Sequence, residues 1–179
     1  MERICRVIWL FGRPCSGKTT IAEQLIEQLS GTDRHVIFID ADFLRTGLNR
    51  DLGFSMEDRY ENIRRAAEMA SFIALKGNTM VICAFITPMK ALRDLAASIA
   101  QRNGVPFYPI FIDTPLDECV RRDVKGHYKS ASKGLMVQFT GISSPFEEPS
   151  GDEMRISTLN LTPAECAQMI ISKSVTEVS

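Results

Sequence analysis

The chain has 179 residues, enough for one compact domain and little more. Hydrophobic residues make up 45% and charged residues 24%, so a sizeable core can form. The net charge of −1 excludes the strong basic field of a nucleic-acid or anionic-membrane binder, and no apolar run approaches membrane-spanning length.

Apolar runs alternate with helix-periodic segments along the whole chain. Val7 to Phe11 reads as a buried strand that enters a Gly-rich turn. From Thr19 to Leu29, the apolar residues Ile21, Ala22, Leu25, Ile26 and Leu29 fall at helical spacing, and Gly31 stops the helix. His35 to Asp40 is a second strand. Ser55-Met56-Glu57-Asp58 resembles a capping box and opens a long helix to about Lys76, with Gly77 as its stop. Thr79 to Ile86 is a third strand. Thr87-Pro88 is expected to open the next helix with proline in its first turn, and Asn103-Gly104 to end it. Phe107 to Asp113 is a fourth strand, and Thr114-Pro115 starts another helix by the same device. Met154 to Leu159 is expected as a short fifth strand, followed by the fuller cap Thr162-Pro163-Ala164-Glu165.

This alternation predicts an α/β fold of three layers, with a mostly parallel five-stranded sheet covered on both faces. Residues 1–179 read as a single domain. Lys125 to Gly151 is rich in Lys, Gly, Ser and Pro and weakly periodic, and it reads as a mobile lid over the site, at about 121–150. The cysteines Cys5, Cys15, Cys83, Cys119 and Cys166 are scattered and odd in number, which argues against a disulfide framework or zinc site and for a reducing cytoplasm. No signal peptide fits the first ten residues.

Gly12-Arg13-Pro14-Cys15-Ser16-Gly17-Lys18-Thr19 matches G-x-x-x-x-G-K-[ST], placed after a strand and before a helix as that motif requires. The glycines let successive N–H groups point at phosphate oxygens, and the helix N-terminus adds its partial charge. Residues Gly12 to Thr20 are therefore candidate ATP-binding residues. Lys18 is the candidate for reaching the β- and γ-phosphates, and Thr19 for holding Mg²⁺. Cys15, just before a helix N-terminus, is a candidate reactive thiol. A GTPase would need N-K-x-D, which is absent, and motor-type ATPases end their third strand in an acid, which this chain does not. The acids stand instead at the end of the second strand, Asp40 and Asp42. Asp40 is a candidate metal ligand, and Asp42 a candidate base for an attacking hydroxyl. The pattern therefore reads as a kinase for a small acceptor. A nucleotide-binding regulator is disfavoured by the retention of Lys18, Thr19, Asp40 and Asp42 together, and a nucleic-acid NTPase by the charge.

The stretch Arg45-Thr46-Gly47-Leu48-Asn49-Arg50-Asp51-Leu52-Gly53-Phe54-Ser55, with Glu57-Asp58-Arg59 and Glu61-Asn62-Ile63-Arg64-Arg65, resembles the adenylylsulfate kinase family. That family carries R-x-G-L-N-x-D-L-G-F and E-D-R-x-E-N-I-R-R there. Ala84 to Pro88, Asp113 to Leu116, Lys125 to Lys129 and Phe139 to Ile142 match as well, so the resemblance runs from about residue 5 to residue 170. It implies that the acceptor is adenosine 5′-phosphosulfate (APS), phosphorylated on its 3′-hydroxyl to give PAPS. It implies that Asp42 lies near that hydroxyl and that Arg45, Asn49, Arg59 and Asn62 contact the acceptor. Phe54 and Phe139 would sandwich the adenine, with Ile86, Thr87 and Lys125 completing the pocket. Two arginines suit a phosphosulfate anion, and two aromatics a base face. Such kinases often form homodimers, although no interface is legible here.

The departures are local. Arg13-Pro14-Cys15 stand where the family has L-S-G, Phe43 where it has Asn, and Thr87 where many members have Ser. They leave open a second acceptor class, a cytidine diphosphate derivative. Arg121, Arg122, Lys125, Lys129 and Lys133 read as a clamp on the triphosphate, and His35 and His127 as structural or surface residues.

Overall fold

The computed structural model describes residues 6–32, 34–123, 126–134, 139–151 and 153–176. The strands are β1 (Arg6–Phe11), β2 (His35–Asp40), β3 (Thr79–Phe85), β4 (Phe107–Asp113) and β5 (Met154–Ser157). The helices are α1 (Lys18–Leu29), α2 (Ala41–Thr46), α3 (Met56–Ala74), α4 (Lys90–Arg102), α5 (Leu116–Arg121), α6 (His127–Ser132) and α7 (Pro163–Thr176). The strands form one sheet in the order β2-β3-β1-β4-β5, parallel at every pairing. No helix among the described residues is long and apolar enough to cross a membrane.

β1 is the central strand, and all six of its residues are buried. Its alternation sorts the core into two layers. Val7, Trp9 and Phe11 face α3 and α4, where Ala66, Ala67, Ala70 and Ala96 let the helices lie close. Ile8 and Leu10 face α1 and α7 through Ile21, Leu25, Ala167 and Ile170. A strand buried on both faces must be apolar throughout, which is why its sequence reads as an unbroken run. The crossovers leave the carboxyl ends of β1, β2 and β3 at one edge, where the site forms.

Several boundaries follow the sequence. Ser55 caps α3 by accepting from the Asp58 N–H (3.1 Å). At α7, Thr162 and Glu165 exchange bonds, the Thr162 N–H to Oε2 (2.7 Å) and the Glu165 N–H to Oγ1 (3.3 Å). Other boundaries differ for identifiable reasons. Pro88 is not in the first turn of α4. The Thr87 hydroxyl is taken by the Trp9 Nε1–H (2.9 Å), its φ is +42°, and the helix starts at Lys90, capped from a distance by Glu147 Oε2 (2.6 Å). Thr114 likewise does not cap α5; its hydroxyl donates to the Ser16 carbonyl (2.8 Å) and Pro115 is the cap residue. β5 ends at Ser157 rather than Leu159. α2, six residues long, is too short to show a period in the sequence; it forms because Asp40 Oδ1 accepts from the N–H groups of Asp42 (2.9 Å) and Phe43 (3.1 Å).

The segment expected as a lid holds more structure than its composition suggests. It contains α6, and Tyr128, Ala131 and Phe139 form a small cluster with Cys119 against which Cys15 packs.

Candidate active site

The phosphate loop leaves β1 and enters α1. At Gly12, φ is +155° and a Cβ would come within 2.7 Å of the Ile112 carbonyl, so the close approach to β4 excludes any side chain. Gly17, at φ +97°, is the N-cap of α1 and offers no side chain to its first N–H groups. Those donors therefore point outward, toward an anion at the loop. A Cβ on Gly17 would also meet Arg122 Nη1 at 3.8 Å, which puts that guanidinium over the loop. Arg122 is held there by Thr158, to Oγ1 (3.0 Å) and the carbonyl (3.1 Å), and by Glu118 (2.6 Å).

The Lys18 ammonium folds across the loop, donating to the carbonyls of Arg13 (2.6 Å) and Gly12 (3.1 Å) and to Ser16 Oγ (3.3 Å). Loss of hydration lowers its pKa to about 8, partly offset by the nearby thiols and by Asp42 and Asp40. Thr19 Oγ1 lies 3.3 Å from Asp40 Oδ2, the carboxylate oxygen that does not cap α2. One hydroxyl and one carboxylate oxygen at the mouth of a phosphate loop suit Mg²⁺, which takes few protein ligands and relies on phosphate oxygens and water. No group of three or more His, Cys, Asp or Glu among the described residues could hold a metal by itself. Asp42 is exposed in the first turn of α2, and its charge acts on both Lys18 and Arg45.

Among the residues expected at the acceptor, Phe54 is 55% exposed, which rules out core packing for its ring. Arg45 stands over it at 4.4 Å and Arg59 at 5.9 Å. Arg45 Nη1 donates to the carbonyls of Leu52 (3.0 Å) and Gly53 (2.9 Å), and Arg59 Nε to that of Phe54 (3.0 Å), so both guanidiniums are held in place. Partial burial lowers the pKa of each, more a sign of desolvation than of lost charge. Arg59 Nη1 also reaches Thr140 Oγ1 (3.3 Å), beside Phe139.

The other sequence candidates divide. Asn49 and Asn62 are buried and bonded to each other, Nδ2 to Oδ1 at 2.9 Å, so they brace the loop after α2 against α3. Thr87 is buried against Trp9, and Ile86 is partly buried where its carbonyl accepts from the Gly12 N–H (3.2 Å). Phe139 is 9% exposed and meets Tyr128 edge-on at 4.9 Å. Phe43 is 74% exposed and its ring is outside the core. Lys125 lies outside the described residues. Of the expected clamp, Arg122 is at the loop, Arg121 pairs with Glu118 on the surface (2.7 Å), and Lys129 and Lys133 are exposed. His127 lies edge-on to Phe139 (6.3 Å). The sequence also gave no sign of the contacts of Arg13, an ion pair to Glu148 (2.8 Å) and a place over the Phe146 ring (4.8 Å). The partners are more than a hundred residues away, and no local pattern joins them.

The family model for adenylylsulphate kinase matches residues 4–157. Over 164 residues the chain is 47% identical to the bifunctional enzyme NodQ of Rhizobium tropici, covering 92% of this chain and 26% of that protein, so it spans about a quarter of that relative. It is 42% identical over 170 residues to the adenylyl-sulfate kinase of Emericella nidulans, covering 92% of this chain and 82% of that one. Among solved structures it resembles the Mycobacterium tuberculosis APS kinase CysC in complex with AMPPNP and APS, with a TM-score of 0.91 and 37% identity over 96% of this chain and 98% of that one.

Proposed function

This chain belongs to the adenylylsulphate kinase family, and on that premise we propose that it moves the γ-phosphoryl group of Mg-ATP to the 3′-hydroxyl of APS, giving PAPS. The observation that carries the acceptor assignment is the Arg45–Phe54–Arg59 group: an exposed ring flanked by two fixed guanidiniums beside Asp42. An aromatic face takes a base, and the guanidiniums take the phosphosulfate of the same nucleotide. The four cysteines among the described residues, Cys15, Cys83, Cys119 and Cys166, are free and fit a reducing compartment such as the cytoplasm.

The residues divide the work. The N–H groups of the phosphate loop and the start of α1 bind the ATP phosphates, and Arg122 adds charge above Gly17. Lys18 exchanges its loop carbonyls for phosphate oxygens and stabilises the charge that develops on the transferred group. Asp42 orients the acceptor hydroxyl, and one of its carboxylate oxygens takes the proton as the new O–P bond forms and the β–γ bridge breaks. Thr19 and Asp40 would hold Mg²⁺, which when bound neutralises charge on the β- and γ-phosphates.

The test is ADP release by the purified chain with Mg-ATP and either APS or cytidine diphosphate derivatives. Turnover of APS at a kcat/KM of about 10⁴ M⁻¹s⁻¹ or more is expected. Release with a cytidine compound and none with APS would overturn the acceptor assignment and leave only an ATP-dependent kinase.

A further inference from the structure

We propose that Arg13 is a positioning residue for the acceptor: its side chain ties the phosphate loop to the turn that carries Phe139 and Thr140. The inference rests on the kinase reading above, but on contacts that reading does not use. Only 15% of the Arg13 side chain is exposed, against 53% for its partner Glu148. The guanidinium is therefore sandwiched between an ion pair and the Phe146 ring rather than aimed at the loop interior where phosphates would lie.

The far end of this strut is fixed. Phe146 stacks on Phe111 of β4 at 5.7 Å, and Phe111 on Phe11 of β1 at 5.4 Å. The Glu147 N–H donates to the Pro88 carbonyl (2.9 Å), and the Glu147 carbonyl accepts from Arg93 Nη1 (3.0 Å). Immediately before these residues, 139–144 form a closed turn. The N–H groups of Ile142, Ser143 and Ser144 all donate to the Phe139 carbonyl (3.0 to 3.2 Å), and Gly141 N–H to that of Ser144 (2.8 Å). Thr140 of this turn accepts from Arg59, which flanks Phe54.

Arg13 and Leu116 line a shallow surface pocket of about 340 Å³ together with residues 141–146 of the turn and its exit. A second strut runs in parallel, from the Tyr128 hydroxyl to the Pro14 carbonyl (3.1 Å), with the Tyr128 ring against Phe139. Through Arg13, the position of the loop and the position of the acceptor-side turn become one geometry. A one-ångström slip of that turn would move Thr140 and remove one of the contacts that set the Arg59 guanidinium, which also donates to the Phe54 carbonyl.

The test uses Arg13→Leu, Glu148→Gln, the double variant and Arg13→Lys, in the full chain. Glu148→Gln is nearly isosteric and on the surface, so it keeps the fold if Arg13→Leu does not. Loss of the strut should raise the acceptor KM about three- to tenfold, the scale of one such pair plus its ring contact. MgADP affinity should stay within about twofold, Arg13→Lys should restore most of the loss, and the double variant should cost no more than the worse single one. A parallel loss of MgADP affinity, or additive effects in the double variant, would overturn the proposal. Hydrogen exchange of residues 139–146, followed without any acceptor, gives an independent reading. Faster exchange in both single variants is expected, and unchanged exchange would sink the idea even if the acceptor proved not to be APS.

Discussion

Replacing Lys18 with Met should abolish catalysis and at the same time stabilise the nucleotide-free protein. The two effects have one origin. The ammonium proposed to meet the transferring phosphate is held where hydration is poor, and its pKa falls from 10.5 to about 8. That difference corresponds to about 3 kcal/mol against the charged form at neutral pH. The side chain is partly exposed, and three loop oxygens contact the ammonium, so the net gain on its removal is about 1–2 kcal/mol. For a chain of this length the gain raises Tm by about 2–8 °C at pH 7. The sign of the pH dependence is fixed by the direction of the shift. Between about pH 8 and pH 10.5 the unfolded chain binds a proton at Lys18 that the folded chain does not, so wild-type stability gains with rising pH across that window. Lys18→Met lacks this gain, and its advantage should shrink toward pH 10. Thermal melts of both proteins without nucleotide at pH 7 and pH 9.5, beside ADP-release assays, measure both effects. A Lys18→Met protein that melts lower at pH 7, or whose advantage does not narrow at pH 9.5, would show that the loop carbonyls solvate the ammonium as well as water does. Activity within about 100-fold of wild type would refute the catalytic role.

Asp42→Asn should lower kcat by about 10²-fold or more with little change in the KM for ATP, because the proposed role of Asp42, exposed at the head of α2 with its charge reaching Arg45 as well as Lys18, is to take the proton of the acceptor hydroxyl. Lost ATP binding with kcat retained would make it a nucleotide or metal ligand instead. Glu61→Gln tests the frame behind the acceptor site. Glu61 accepts from Arg64 (2.6 and 2.8 Å) and Arg65 (2.7 Å), and these bonds pull its pKa down to about 2. Its folded pKa lies below its unfolded value of 4.5, so its contribution is complete above that pH and is lost as pH falls toward 2. Urea melts at pH 7, 5 and 3.5 should show Glu61→Gln less stable at pH 7, with the gap closing under acid; a constant gap would count against the ion pairs as its source.

The parts of the fold that rest on local pattern were legible in the sequence. The buried strands show as apolar runs, the phosphate loop as a fixed spacing of Gly, Lys and Thr, and the start of α7 as Thr-Pro-x-Glu. Where the structure departs from local pattern, distant partners compete for the same polar group. Thr87 and Thr114 look like helix caps, but each hydroxyl serves a distant partner, Trp9 in one case and the Ser16 carbonyl in the other. Asn49 and Asn62, expected at the acceptor by resemblance, bond to each other through Asn49 Nδ2 and Asn62 Oδ1, a contact that no local pattern announces. Whether a polar residue faces a ligand or a neighbour depends on tertiary packing, and a short motif carries no record of it.

Cys15 shows how the same packing makes an unusual phosphate loop workable. Its φ is +58°, in the left-handed region, where the resemblance places a glycine. A side chain there costs about 1 kcal/mol relative to glycine in backbone conformation. The surroundings hold it. The neighbouring Pro14 carbonyl accepts from Tyr128, the Cys15 Sγ lies 3.9 Å from Asp123 Oδ1, and the thiol packs on the cluster of Cys119, Tyr128, Ala131 and Phe139. Asp123 in turn caps α6 through the N–H groups of His127 (2.9 Å) and Tyr128 (2.8 Å). The loop thus keeps the shape that glycine would permit by leaning on α6, and the three substituted positions, Arg13, Pro14 and Cys15, all make their contacts with the segment between α5 and β5. Leu-Ser-Gly at these positions would lack the Arg13 ion pair and ring contact that tie the loop to that segment. In this chain the phosphate loop and the segment between α5 and β5 are therefore expected to shift together.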